Sequence, residues 1–253
     1  MLKELEGYYK QNGILATDFF CKHKSECSGD CENFTGPKSA FVSSGYENEV
    51  LPRLLFLSLD SGSGDKNNDN RLPSAVRKLE EARDVLALSK HKHWFRTHEL
   101  AWYILKKFNA TLKIEEAKDY FAHANSAKCC MNKLQRKKAD KILFKNCQGY
   151  LKKELEILNP KIIVTQGNEA KKAILQLLEL RINNIDDFSS IIKINNREIF
   201  WLHTYHPNNW GAFNKHRHFN KETGIAEGWE FYAGHIYKFI NQKMPNKGLH
   251  ANA

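Results

Sequence analysis

The stretch that most constrains this chain is Leu54-Leu-Phe-Leu-Ser-Leu59, an almost unbroken apolar run that stops at Asp60-Ser-Gly-Ser-Gly-Asp65. A strand with one wet face alternates apolar and polar residues. A run without alternation, closed by a glycine turn, is the pattern of a parallel strand buried on both faces. Lys161-Ile-Ile-Val-Thr165, released from a preceding helix by Asn159-Pro160, repeats the pattern, and Tyr120 to Lys128 is a shorter, half-polar strand candidate. Ile191–Ile194 and Glu198–Leu202 form a hairpin across Asn195-Asn196.

Helical spacing fills the intervals. It runs over Leu2–Phe20, over Leu72–Leu88 through Val76, Leu79, Ala82, Val85 and Leu86, and over His98–Phe108, Lys137–Leu158, Glu169–Leu180 and Glu227–Gln242. Cys21 to Gly45 is rich in Cys, Ser, Gly, Asn and Asp and reads as loop. Strands alternating with helices predict a three-layer α/β/α fold around a central, mainly parallel four-stranded sheet. There are no internal repeats and no long linker, so residues 1–253 are expected to form one domain.

In such sheets ligands bind beyond the carboxyl ends of the strands. Three polar signatures fall at those ends: Asp60-Ser-Gly-Ser-Gly, Asn125 and His203-Thr-Tyr-His206-Pro-Asn208. With 39 Lys+Arg against 29 Asp+Glu, the formal charge of +10 favours a polyanionic partner such as nucleic acid. No apolar run approaches the roughly 20 residues of a membrane span. Met1 to Gly13 lacks the apolar core of a secretory signal. A cytoplasmic monomer with no membrane partner is the expectation.

The six cysteines form two groups, Cys21, Cys27 and Cys31, then Cys129, Cys130 and Cys147. A reducing cytosol disfavours disulfides, so clustered thiols point to a metal site, either a four-iron cluster or a tetrahedral zinc. Scattered buried thiols are the plainer alternative. The spacing does not match a zinc ribbon, which shows two short pairs.

Asn125-Ser-Ala-Lys-Cys129, followed by residues 147–167 from Cys147-Gln-Gly-Tyr to Val-Thr-Gln-Gly167, resembles a block of the uracil-DNA glycosylase superfamily. The likeness is greatest to the iron–sulfur branches. Leu54–Gly62 is similar to the superfamily's first motif, an apolar strand entering a catalytic acidic turn, and His206-Pro207 to its second. The resemblance implies a 4Fe-4S cluster held by Cys129 and Cys147 with two of Cys21, Cys27 and Cys31; either Cys21/Cys27 or Cys27/Cys31 supplies the first pair. It also implies hydrolysis of an N-glycosidic bond, leaving an abasic site in DNA. Asp60 would stabilise the sugar cation and orient water, and a neutral His206 would donate to the departing base. Asn125 would read the base edge, and the backbone N–H groups of Ser61 and Gly62 would receive a base oxygen. Asp-Ser-Gly is also a common turn sequence, and a buried histidine can be purely structural.

A base inside duplex DNA must be flipped to reach such a pocket. Trp210 or Phe213, after Asn208, would fill the gap, and Lys215 and Arg217 would lie near phosphates. His91-Lys-His-Trp-Phe-Arg96 is a second basic–aromatic cluster that could line a pocket. Asn208 stands where the superfamily has Ser, Leu59 where the iron–sulfur branches have Glu, and Lys66–Arg71 where a stacking Phe is usual. These differences imply a pocket altered from the uracil form, for uracil or a bulkier modified pyrimidine such as the glucosylated hydroxymethylcytosine of phage DNA, in single or double strands. The competing expectation is a non-catalytic iron–sulfur protein that binds nucleic acid.

Overall fold

The computed structural model describes residues 1–62, 66–88, 93–130, 141–178, 182–207 and 228–243. Seven strands form one sheet: β1 (Phe41–Val42), β2 (Leu54–Asp60), β3 (Phe121–Ala127), β4 (Ile162–Gln166), β5 (Asn183–Asn184), β6 (Ser189–Ile194) and β7 (Arg197–Thr204). Their spatial order is β1-β3-β2-β4-β7-β6-β5. The four central strands, β3, β2, β4 and β7, run parallel. Antiparallel additions at both ends widen this core: β1 beside β3, and β6 then β5 beyond β7.

Alternation along the central strands separates two cores. On one face Leu54, Phe56, Phe121, Ile162, Val164, Phe200 and Leu202 pack beneath α5 (His93–Leu105) and α8 (Gly228–Lys243). On the other, Leu55, Leu57, Ala122, Ala124, Ile163 and Trp201 meet α1 (Leu2–Gln11), α6 (Lys141–Leu158) and α7 (Asn168–Leu177). Both faces are therefore covered, as the unalternating β2 sequence requires. No helix among the described residues is long and apolar enough to cross a membrane.

The differences from expectation are local. The first helix stops at Gln11, because Gly13 enters the left-handed region at φ +65° and the Phe20 amide returns to its carbonyl. Cys21–Gly45 is not all loop: it holds α2 (Lys24–Ser28), β1 and the start of α3 (Ser44–Glu47). The helix expected from Leu72 is α4 (Pro73–Glu81), with proline in its first turn. α5 starts at His93, not His98, which brings His93-Trp-Phe-Arg96 of the basic–aromatic cluster into its first turn, while His91 and Lys92 lie outside the described residues. The hairpin turn at Asn195-Asn196 has positive φ at both residues, +49° and +61°, as a tight two-residue hairpin demands.

Candidate active site

β2 and β4 are neighbours, but the chain leaves β2 for β3 on one side and leaves β4 for β7 on the other. A crevice opens at the carboxyl ends of such a pair. Asp60 ends β2, Gln166-Gly167 ends β4, and His206 lies two residues past β7. With β4 between them, β2 and β7 stand about 10 Å apart. The Asp60 carboxylate raises the pKa of His206, although burial dominates and leaves the imidazole below its usual value. Burial thus favours the neutral imidazole of His206, and the Asp60 carboxylate is close enough to act on it.

Asp60 Oδ1 accepts the Gly62 N–H at 3.2 Å, with Gly62 at φ +63°. That amide points back at the carboxylate instead of out towards a ligand. Ser61 is turned to Arg71, whose guanidinium donates to Ser61 Oγ at 3.0 Å and to the carbonyls of Gly36 and Pro37. Arg71 is fully buried and fastens the acidic turn to the chain that leads from the first cysteine group.

Asn125 is buried on β3, opposite Ser58, on the same face as Phe121 and His123. His203 shares the opposite face with Trp201 and contacts Thr165 Oγ1 at 3.1 Å, so it belongs to the far core and not to the crevice. Asn208, Trp210, Phe213, Lys215 and Arg217 lie outside the described residues, as does Asp65.

A polar network beneath the crevice was not evident in the sequence. His123 Nε2 meets Ser58 Oγ at 2.8 Å, Ser58 donates to Gln166 Oε1 at 2.6 Å, and Gln166 Nε2 donates to Thr97 Oγ1 at 3.0 Å. Thr97 donates to the His93 carbonyl at 2.9 Å. The signal was present as polar residues in strands that had no reason to be polar: Ser58, His123 and Gln166. Above the network, ring centroids run from His206 to His93 (5.1 Å), His93 to His123 (5.9 Å) and His123 to Trp94 (4.9 Å). Burial, reinforced by His206 and His98, lowers the His93 pKa to about 3. Burial likewise holds His123 well below the normal range, with His93 the next cause.

The cysteines gather at the other edge. Cys21, Cys27 (on α2), Cys129 (just past β3) and Cys147 (on α6) line one recess; Cys31 is outside that lining but packs against the cluster of Cys27, Cys129 and Cys147. Cys130 is buried beside it, its backbone paired with Thr35. None of the six cysteines is joined in a disulfide. Three N–H donors address the recess sulfurs, the Lys128 amide to Cys147 (3.4 Å), Asn146 Nδ2 to Cys27 (3.4 Å) and the His23 amide to Cys21 (3.5 Å), and the Tyr150 hydroxyl lies 3.2 Å from Cys21 Sγ. Burial raises Cys147 to about 11 and Cys129 well above the usual thiol value. Among the described residues, no three Cys, His, Asp or Glu side chains converge as they do around a single metal ion.

A comparison with protein-family models matches residues 79–228 to the uracil DNA glycosylase superfamily. The chain belongs to that superfamily. The matched region holds Asn125, Cys129, Cys147 and His206; Asp60 and the first cysteine group precede it. No curated protein matches the chain.

Proposed function

We propose that this member of the uracil DNA glycosylase superfamily is a DNA glycosylase that hydrolyses the N-glycosidic bond of a flipped-out base. The observation that carries the reading is the placement of Asp60 at the end of β2 and of His206 two residues past β7, within electrostatic reach of each other. Bond cleavage builds positive charge on the sugar and negative charge on the base. The Asp60 carboxylate stabilises the first and orients water; the His206 N–H donates to the base oxygen as it gains charge. Asn125, buried one strand away, offers both a donor and an acceptor to the base edge. The net charge of +10 supports DNA as the polymer bound.

The base is uracil or a larger modified pyrimidine. The rings of His93, His123 and Trp94, which reach His206 through His93, with the exposed polar segment 66–69, favour a pocket shaped for more than bare uracil. Release of bases from uracil-containing DNA and from glucosylated phage DNA, read as abasic sites on a gel, tests this directly. Cleavage of neither removes the substrate assignment.

Cys21, Cys27, Cys129 and Cys147 would hold a 4Fe-4S cluster. Four thiols round one recess with N–H donors to their sulfurs fit such a group. A cluster supplies a crosslink and a redox-active centre, and no step of base release passes through it. A brown, iron-containing protein is expected in place of a colourless zinc protein. The Asp60–Gly62 turn favours a second reading, in which Asp60 is only a turn residue and the protein binds DNA without chemistry. Under that reading the wild type releases no base from any DNA.

A further inference from the structure

β1 begins only at Phe41, which pairs with His123 in antiparallel register, so the carboxyl half of β3 beyond His123 has no strand on that side among the described residues. The Phe121 carbonyl accepts from Ser43 on that edge. Alternation then turns the Asn125 carbonyl, four residues on, to the same edge, beyond the last rung. A side-chain bridge replaces the missing ladder. Lys128 Nζ donates to the Asn125 carbonyl at 2.8 Å and pairs with Glu154, which accepts from Tyr9 Oη; Tyr9 Oη in turn accepts the Ala40 amide at 3.3 Å. Lys128 and Glu154 are both fully buried, and the Lys128 backbone amide is the one that addresses Cys147 Sγ.

We propose that Lys128 is a positioning residue that holds the Asn125 end of β3 at the crevice and joins it to the cysteine recess. This rests on the reading of Asn125 as the base-contacting residue. A buried ion pair with well-packed surroundings gives little net stability. Its use here is geometric: the ammonium reaches a carbonyl that no strand can reach, and the carboxylate fixes the ammonium.

The test removes both charges together, Lys128→Met with Glu154→Gln, so that no buried ion is left alone. Hydrogen exchange is followed in the full-length protein as purified. In the double variant, exchange in the peptide spanning residues 121–127 is expected to rise about tenfold or more, the loss of one charge-assisted hydrogen bond. Peptides of the β6–β7 hairpin and the iron content per chain stay at wild-type values. On a DNA that the wild type cleaves, kcat falls while DNA affinity is kept. Unchanged exchange at 121–127, or an equal rise in every peptide, overturns the proposal. Should the double variant not fold, Lys128→Gln with Glu154→Gln keeps a polar pair without a buried charge, shortens the reach to the Asn125 carbonyl, and is expected to raise exchange at 121–127 in the same direction. No change there overturns the proposal equally. A wild type that releases no base sinks the glycosylase reading, while the exchange comparison still decides the role of Lys128.

Discussion

Ser58 Oγ lies 2.6 Å from Gln166 Oε1, and that contact between β2 and β4 determines which nitrogen of His123 carries a proton. The His93 carbonyl can only accept, so Thr97 donates to it and accepts from the Gln166 amide nitrogen. Gln166 therefore presents its oxygen to Ser58, Ser58 donates to it, and the proton between Ser58 and His123 belongs to His123 Nε2. Ser58→Ala leaves a buried acceptor and a buried donor without their shared hydroxyl. A loss of about 1–3 kcal/mol in denaturant unfolding is expected, and a loss under a few tenths would mean that the network carries no stability.

Asp60→Asn keeps the Gly62 amide bonded to a side-chain oxygen while removing the charge. Base release under single turnover is expected to fall by about 10²–10⁴-fold, with DNA binding by fluorescence anisotropy retained. Wild-type rates in this variant would assign Asp60 to the turn alone.

The buried histidines make stability depend on pH. The folded state holds His93 near 3 and His123 well below the ordinary range, whereas an unfolded histidine titrates at about 6.5. Their contribution is fully present above pH ~6.5. Below it the unfolded chain binds protons that the folded chain refuses, and each such histidine costs about 1.4 kcal/mol per pH unit until its folded pKa is reached. Urea melts at pH 7 and pH 5 are expected to show this loss. His123→Gln is expected to make the slope shallower by about one proton's worth, and an unaltered slope would contradict the burial of a neutral His123. In the proposed mechanism base release needs a neutral His206. Its lowered pKa predicts an activity that holds through neutrality and falls on the acid side only below the ordinary histidine range.

Serine substitutions separate the cysteines. Cys27→Ser, Cys129→Ser and Cys147→Ser are expected to lose iron and visible absorbance, and Cys31→Ser to retain both, because Cys31 lies outside the recess. Iron retained in Cys147→Ser and lost in Cys31→Ser would reverse the assignment.

Gly167 at φ +102°, ψ 162° caps α7 in a conformation open essentially to glycine alone, and a Cβ there would meet Leu59 Cδ2 at 3.0 Å. Gly167→Ala is expected to cost about 1–3 kcal/mol. It would also displace the residue before Asp60, lowering base release more than DNA binding. Equal losses in both would place its effect in the fold rather than in the turn.

The parallel core was legible because β2 and β4 show unbroken apolar runs, and because glycine and Asn-Pro mark their ends. The polar strand ends were legible for the same reason: Asp60, Asn125 and His206 follow apolar segments. Ser58 and Gln166 were not, since a single polar residue at a strand end has no periodic signature and its partners come from other elements. The choice between Cys21 and Cys31 depended on where α2 begins and how the Gly13–Phe20 turn folds back, and composition does not determine either. The widened sheet was hidden because β1 and β5 are two residues each, too short for any pattern.

The recess draws thiols from both sides of the first half of the fold, so a group bound by Cys27 and Cys129 would close a loop of about a hundred residues that contains β1, β2, α4 and α5. By the measure used for covalent crosslinks, tying a loop of that length lowers the entropy of the unfolded chain by the equivalent of about 4–5 kcal/mol. Loss of the metal group would then act mostly on the denatured ensemble. The crevice residues would keep their native arrangement in each molecule that remains folded, while fewer molecules did so.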